Sequence, residues 1–357
     1  MKALVYEGPW QMPVHDVPAP QPRRGEVVVA IRASGICGSD VHGFVGSTGR
    51  RRAGIVMGHE AAGEVSAVGA DVDGLRAGDR VALRSSLACG ECDECRAGRS
   101  NACSKRLGLG TDFDGAYAEA VAVPAALAVP LPDGVSYEQA AVIEPLAVAL
   151  HAVELTPFGP DDDVAIIGAG AIGLLALLAV RDRGAARIVV TDRSRHRLAL
   201  AHRLGADVTI EAQKGDPAAA IREATDGEGA AALIEAVGIA PTVEQSLAAA
   251  RTGAHVTWVG NAALTVQVPM QDVVTRELTI RGAHGSSVEF DQAARLIASG
   301  RVDVRPLIER VAPLEDGPSI FRALGEGRLD AAKVILEPAP RRAAARARGS
   351  AATAGPA

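Results

Sequence analysis

Aromatic residues are scarce in this chain: three tyrosines, two tryptophans and five phenylalanines amount to 3% of 357 residues. That argues against an aromatic-rich β-sandwich and suits helices packed on a parallel sheet, a class to which the abundant Ala, Val and Leu also point. Positive charge is scarce as well, with a net charge of −6. Arg341, Arg342, Arg346 and Arg348 all fall in the last twenty residues, 338–357, which hold no acid, so the remainder carries about −10. A body of that sign repels nucleic acid and anionic membrane surfaces, and neither is expected as a partner. MKALVYEGPW lacks the apolar run of a signal peptide, which makes a cytoplasmic protein the expectation. The longest uncharged apolar stretch, 164–180, only touches the lower limit for a membrane span and has Gly168, Gly170 and Gly173 near one end. Cysteine is limited to five residues, and four of them crowd between Cys89 and Cys103. In a reducing compartment such crowding points to metal before disulfides.

The length suits two domains, each able to bury its own core. The first 150 residues read as short strands broken by Gly and Pro, among them EVVVAIRAS from Glu26 and DRVALR from Asp79. From about Thr156 strands alternate with helical stretches: VAIIG then IGLLALLAVRDRG, RIVVTD then RHRLALAHRLG, and onward to HVTWVG. That alternation predicts parallel strands with right-handed crossovers. A closing strand, AKVILEP, can return to the first domain, making the α/β domain an insertion. The expected division is 1–155 with 286–337 for a β-rich domain and 156–285 for the α/β domain. No internal repeat occurs, and the Ala/Arg/Gly tail 338–357 has too little apolar mass to order itself.

VAIIGAGAIG places the glycines of G-x-G-x-x-G at 168, 170 and 173, after an apolar strand and at the opening of a helix. Gly168 permits the turn, Gly170 lets a pyrophosphate approach, and Gly173 lets helix and sheet pack closely. Ala171 and Ile172 open the helix, whose free N–H groups and dipole favour phosphate. Asp192 ends the next strand nineteen residues after Gly173, where a carboxylate binds both ribose hydroxyls and repels a 2′-phosphate. NAD is therefore expected over NADP. Arg193, Arg195 and Arg197 follow at once and offer a place for that phosphate, or form an exposed helix face; Arg197 is retained as a cofactor-binding candidate.

CGECDECRAGRSNAC spaces Cys89, Cys92, Cys95 and Cys103 to surround one tetrahedral zinc, in a polar loop (about 88–104) with no core of its own. An iron–sulfur cluster is the rival occupant. With all four positions used, this metal is structural. Cys37 lies in GICGSDVH after a strand, and His59 and Glu60 follow twenty-two residues later. Singly, Cys37 reads as a small core residue and His59 as bonded to backbone. Beside a dinucleotide turn, the thiolate, imidazole and carboxylate read as a second metal site.

The chain resembles the zinc-containing medium-chain alcohol dehydrogenases across nearly all of 1–337. Residues 58–72 match the zinc signature G-H-E-x2-G-x5-G-x2-V, the four cysteines match the structural lobe, and the glycine turn falls in the family's place. The resemblance implies a GroES-like catalytic domain interrupted by a Rossmann domain, two zinc ions per chain, and hydride transfer between an alcohol and NAD. Glu144, in EPLAVALH, is similar to the glutamate of the sorbitol, threonine and butanediol dehydrogenase branch, where other members have cysteine. The resemblance assigns Cys37, His59 and Glu144 to the catalytic zinc with Glu60 beside them, and leaves open which carboxylate binds directly. It gives Ser39 and His42 a proton relay; alternatively Ser39 and Asp40 form a turn pair capping a helix and His42 is a surface residue.

A polyol or vicinal diol is the expected substrate. Arg50, Arg51 and Arg52 would suit a phosphorylated polyol if they face inward and mean little if they face solvent. An L-threonine-type substrate needs a further carboxylate for its amine. From other classes come a noncatalytic dinucleotide-binding or redox-sensing protein, and a zinc-free quinone reductase. A homodimer or homotetramer is expected, with HVTWVG and the segment after it available for edge pairing.

Overall fold

The computed structural model describes residues 1–49 and 51–338. The expected disorder of the tail falls on 339–357, outside the described residues, as does Arg50. No described helix is long and apolar enough to cross a membrane.

The nucleotide half is one sheet of six strands, all parallel. Its spatial order is Val208–Glu211, Arg187–Asp192, Asp163–Ile167, Ala230–Glu235, Ala250–Trp258 and Thr279–Gly282. The central strands are the apolar ones because helices cover both faces, and every residue of Ala230–Glu235 is buried. Strand order reverses at Asp163–Ile167, so a crevice opens at the carboxyl end of that strand, where Gly168 begins the turn. Ala250–Trp258 is paired on both sides; the sheet's edges are Val208–Glu211 and Thr279–Gly282. Of HVTWVG and the segment after it, the later strand Thr279–Gly282 is the one at a sheet edge, because the sheet continues past HVTWVG.

The β-rich half is organised on one ten-residue strand, Glu26–Gly35. Along its length it pairs antiparallel with Glu60–Val68. Ala120–Pro124 takes the other side of its first half, and the final strand Lys333–Glu337 pairs Ile335 and Leu336 with Gly35 and Ser34. The chain's end thus closes the sheet at the point where Gly35 faces Glu60. The helices Ile143–Glu154 and Glu289–Ala298 join Ala171–Arg183 in a single apolar core that includes Leu146, Leu175 and Phe290. That shared core crosses the boundaries expected near 155 and 286.

The few aromatics are concentrated. Trp10, Phe44, Phe321 and Tyr117 form a chain of ring contacts with centroids 5.4–5.6 Å apart, under the helix Gly38–Phe44. This rigid pad supports the segment that follows Cys37.

Candidate active site

The pairing of Gly35 with Glu60 brings Cys37 next to His59. Cys37 is the N-cap residue of the short helix Gly38–Phe44, which has no side-chain cap. Gly58, at φ +99°, carries the chain into His59, and a Cβ there would lie 2.8 Å from the Tyr117 ring. A Cβ on Gly35 would lie 2.3 Å from Glu60 Oε2, so the bare backbone leaves room for that carboxylate. The ligand atoms of Cys37, His59 and Glu60 lie within 4.8 Å of one another.

Around this trio sits a shell of buried charge. Asp40 is fully buried; its Oδ2 lies 3.4 Å from His59 Nδ1 and accepts from Tyr117 OH at 2.7 Å, while Oδ1 accepts from Arg51 Nη2 at 2.8 Å. With Nδ1 turned to a carboxylate, Nε2 is the imidazole atom left for a metal. Burial alone would push Asp40 up, but His59, Arg51 and the Tyr117 hydroxyl outweigh it and hold the carboxyl at about 2. Burial opposes a charge on His59, yet Asp40 and Cys37 raise its pKa well above the ordinary value. Lys333 Nζ donates to both Glu60 oxygens, at 3.0 and 2.7 Å, and to Ile36 O at 3.2 Å. Glu144 is buried nearby; burial first, and then Glu60, raise its pKa against the pull of His59, Ser85 and Lys333.

These residues fit a divalent cation. Cys37, Asp40, Glu60 and Glu144 are four groups able to bear negative charge, facing the cations Arg51 and Lys333. A divalent ion held with Cys37 and the imidazole would be matched by that set, whose sulfur, nitrogen and oxygen donors are the types zinc takes.

Ser39 Oγ donates to Cys37 Sγ at 3.2 Å, so this hydroxyl stands at the trio, whereas His42 is exposed on the same helix. Asp40 is not a capping partner of Ser39 here; it points into the protein. Arg51 faces inward but is held by Asp40 and, through Nη1, by Thr111 Oγ1 at 2.9 Å. Arg52 reaches Asp112 O at 2.9 Å. Among the described residues neither arginine of this run is turned to a substrate phosphate. Sequence reasoning missed the parts played by Asp40, Tyr117, Ser85 and Lys333. The one available signal was a lysine inside the otherwise apolar run KVIL.

The cysteine lobe is compact: Sγ distances are 3.4 Å for Cys92 to Cys95, 3.5 Å for Cys103 to Cys89 and 3.9 Å for Cys89 to Cys95. Four sulfurs about 2.3 Å from one tetrahedral zinc stand about 3.8 Å apart, so the spacing fits a single ion and is too tight for a multi-iron cluster. Backbone N–H groups of Glu91 and Cys92 pull Cys89 down to about 6, while burial and the Cys92 thiol push Cys95 up to about 12. Four thiolates so close require a cation among them.

At the sheet's crevice Gly168 has φ +96°, and a Cβ there would meet Val237 Cγ2 at 2.5 Å. A Cβ on Gly173 would lie 1.7 Å from Gly168 O, which is the close helix packing its glycine allows. Over Gly170 the nearest atom to such a Cβ is Arg197 Nη1 at 3.8 Å, so the backbone lies open toward the crevice. Gly170 is the N-cap of Ala171–Arg183, whose first N–H groups, on Ala171 and Ile172, begin the helix there. Asp192 accepts from Ala169 N and Ser194 N, each at 2.7 Å, which fixes its carboxylate at the end of the second strand.

Two family models match the chain: the alcohol dehydrogenase GroES-like domain over residues 23–133 and the zinc-binding dehydrogenase over 171–299. Among curated proteins, an L-threonine 3-dehydrogenase of Bacillus licheniformis is 34% identical over 328 residues, covering 90% of this chain and 94% of that protein. Among solved structures, a Sinorhizobium meliloti protein bound to NADP superposes with a TM-score of 0.87 at 31% identity, over 94% of this chain and 99% of the other. The 2R,3R-butanediol dehydrogenase of Bacillus subtilis superposes with a TM-score of 0.87 at 29% identity, over 95% and 99%.

Proposed function

The chain belongs to the zinc-containing medium-chain alcohol dehydrogenases, and on that premise we propose that it oxidises a secondary alcohol flanked by further hydroxyls, a polyol or vicinal diol, with NAD. The substrate class is carried by Glu144, buried within electrostatic reach of His59 and Glu60, together with the likeness to the 2R,3R-butanediol dehydrogenase of Bacillus subtilis. A small cleft near Glu144 is lined by Arg84, Ser85, Ser86, Ala88, Ser100, Ser286, Ser287 and Phe290, with Ser85 on the side of Glu144. Ser100 and Ser287 bond to each other there and Arg84 pairs with Asp291, so this cleft is held together by its own polar contacts.

Cys37, His59 and one of Glu60 or Glu144 would hold the catalytic zinc, and Cys89, Cys92, Cys95 and Cys103 the structural one. When bound, the catalytic ion supplies a Lewis acid for the substrate hydroxyl, which eases loss of its proton and of hydride to the nicotinamide. Asp40 orients His59 through Nδ1 and is itself held by Arg51 and Tyr117. Ser39 Oγ, beside Cys37, is placed to take the substrate proton and pass it toward His42 at the surface. Gly168, Gly170, Ala171, Ile172 and Gly173 cradle the pyrophosphate, Arg197 lies above it, and Asp192 receives the ribose hydroxyls.

The same reading takes 1–155 with 286–337 as catalytic domain and 156–285 as nucleotide domain, in a cytoplasmic homo-oligomer. Exposed Leu264, Met270 and Val274 beside the edge strand Thr279–Gly282 favour a second copy there. L-threonine is the second reading, favoured by the name of the Bacillus licheniformis relative.

NAD reduction over a panel of hexitols, butane-2,3-diol, L-threonine and propan-2-ol separates these readings. A kcat/KM for a polyol or diol at least about tenfold above the others is expected, a difference that paired against unpaired hydroxyls supplies. L-threonine leading the panel would replace the diol reading with the second one.

A further inference from the structure

We propose that Asp330 acts beside Asp192 as a second carboxylate that rejects a 2′-phosphorylated dinucleotide. The inference rests on the reading of the crevice as an NAD site and adds a residue that the dinucleotide motif does not contain.

Beyond the end of Arg187–Asp192, the groups able to receive a 2′-phosphate are the Ser194 hydroxyl and the guanidinium groups of Arg193, Arg195 and Arg197. Each already has a partner. Arg195 Nε donates to Glu211 Oε2 at 3.0 Å. Arg193 Nε donates at 3.0 Å to the Gln213 amide oxygen, in the amide orientation that satisfies both groups. The other two converge on Asp330: Ser194 Oγ donates to Oδ2, and Arg197 Nε lies 2.7 Å from Oδ1.

Asp330 comes from the opposite side of the crevice, from the connection between Gly317–Gly325 and Lys333–Glu337. Its segment is tied down on both sides. Leu329 N donates to Ala323 O, and Ala332 N donates to Glu309 Oε2 at 2.7 Å. Glu309 Oε1 in turn lies 2.6 Å from His196 Nε2, on the same helix as Arg197. The carboxylate is therefore presented to Ser194 by the fold and not by a wandering loop, and it is partly open to solvent at 44% exposure.

This arrangement treats the two dinucleotides differently. A free 2′-hydroxyl is a donor that pairs with Asp192 and bears no charge for Asp330 to repel. A 2′-phosphate is an acceptor carrying about −2, and it would find two carboxylates where it needs donors. Ser194 Oγ is held by Asp330 Oδ2, and the charge of Arg197 is partly offset by the same carboxylate.

The test is direct binding of NADH and NADPH, followed by fluorescence, to zinc-loaded wild type, Asp330→Asn and Asp330→Ser, with Asp192→Ser alongside. Asp330→Asn keeps the shape and removes the charge. NADPH is expected to bind about tenfold more tightly or better, the effect of removing one close like charge, while NADH changes by less than about threefold. Asp330→Ser should move in the same direction, and the thermal midpoint should hold in both. An equal shift for the two dinucleotides, or no shift for NADPH, would overturn the role of Asp330 while leaving the NAD reading intact. Wild type binding NADPH more tightly than NADH would instead overturn the NAD reading itself, whatever Asp330 does.

Discussion

Lys333 and Glu60 form a buried ion pair, Nζ to Oε2 2.7 Å, between residues 273 positions apart. It ties the last strand of the chain to the strand that begins at the metal trio, and Lys333 also reaches Ile36 O beside Cys37. Removing one partner leaves an uncompensated buried charge. Lys333→Met is therefore expected to cost about 3–5 kcal/mol in urea unfolding of the zinc-loaded protein. Lys333→Met combined with Glu60→Gln should recover part of that loss, whereas simple additivity of the two changes would show that the pair is not a coupled unit.

Asp40 carries the orientation of His59. Asp40→Asn keeps the volume and a hydrogen bond to Tyr117 but gives up the charge that faces both the imidazole and Arg51. Zinc affinity at the catalytic site, measured by chelator competition, should fall about 10–100-fold, with activity falling in parallel at limiting zinc. Unchanged affinity would reduce Asp40 to a packing role.

The cysteine lobe has little apolar support of its own: Cys103 alone of the four ligands is buried. Cys95→Ser should lose about one zinc per chain and expose the lobe to proteolysis near 89–103, while the trio at Cys37 keeps its ion. Loss of both ions together would mean that the two centres are not independent.

Glu289 links two helices through His151 Nδ1 at 2.8 Å and also accepts from Ser287 N at 2.6 Å. Burial pushes its carboxyl up, but these bonds outweigh that and lower it from the ordinary 4.5. A carboxyl lowered in the folded state adds stability above its unfolded pKa and loses it as pH falls through the folded value. The thermal midpoint of wild type should therefore drop more steeply below about pH 4.5 than that of Glu289→Gln, and parallel slopes would refute the assignment.

What the sequence made legible is what the local chain geometry determines. The alternation of apolar strands and helices beyond Thr156 predicted a parallel sheet, because such strands are buried on both faces. The glycine and cysteine spacings marked their turns for the same local reason. Asp40, Tyr117 and Lys333 were hidden because they meet only after three separate strands and a short helix have packed. Asp40 looked like a turn residue beside Ser39; only the burial of Gly38–Phe44 against the aromatic pad turns it inward. HVTWVG and the segment after it read together as an available edge, and only the pairing order shows that the later strand, Thr279–Gly282, holds that place.

The central claim is that two distinct zinc centres serve NAD-linked alcohol oxidation, and elemental analysis joined to NAD reduction tests it most directly. Folded wild type should hold about two zinc ions per chain; His59→Ala should hold about one and lose NAD reduction while retaining its fold. A single zinc in metal-replete wild type, or undiminished NAD reduction by His59→Ala, would contradict it.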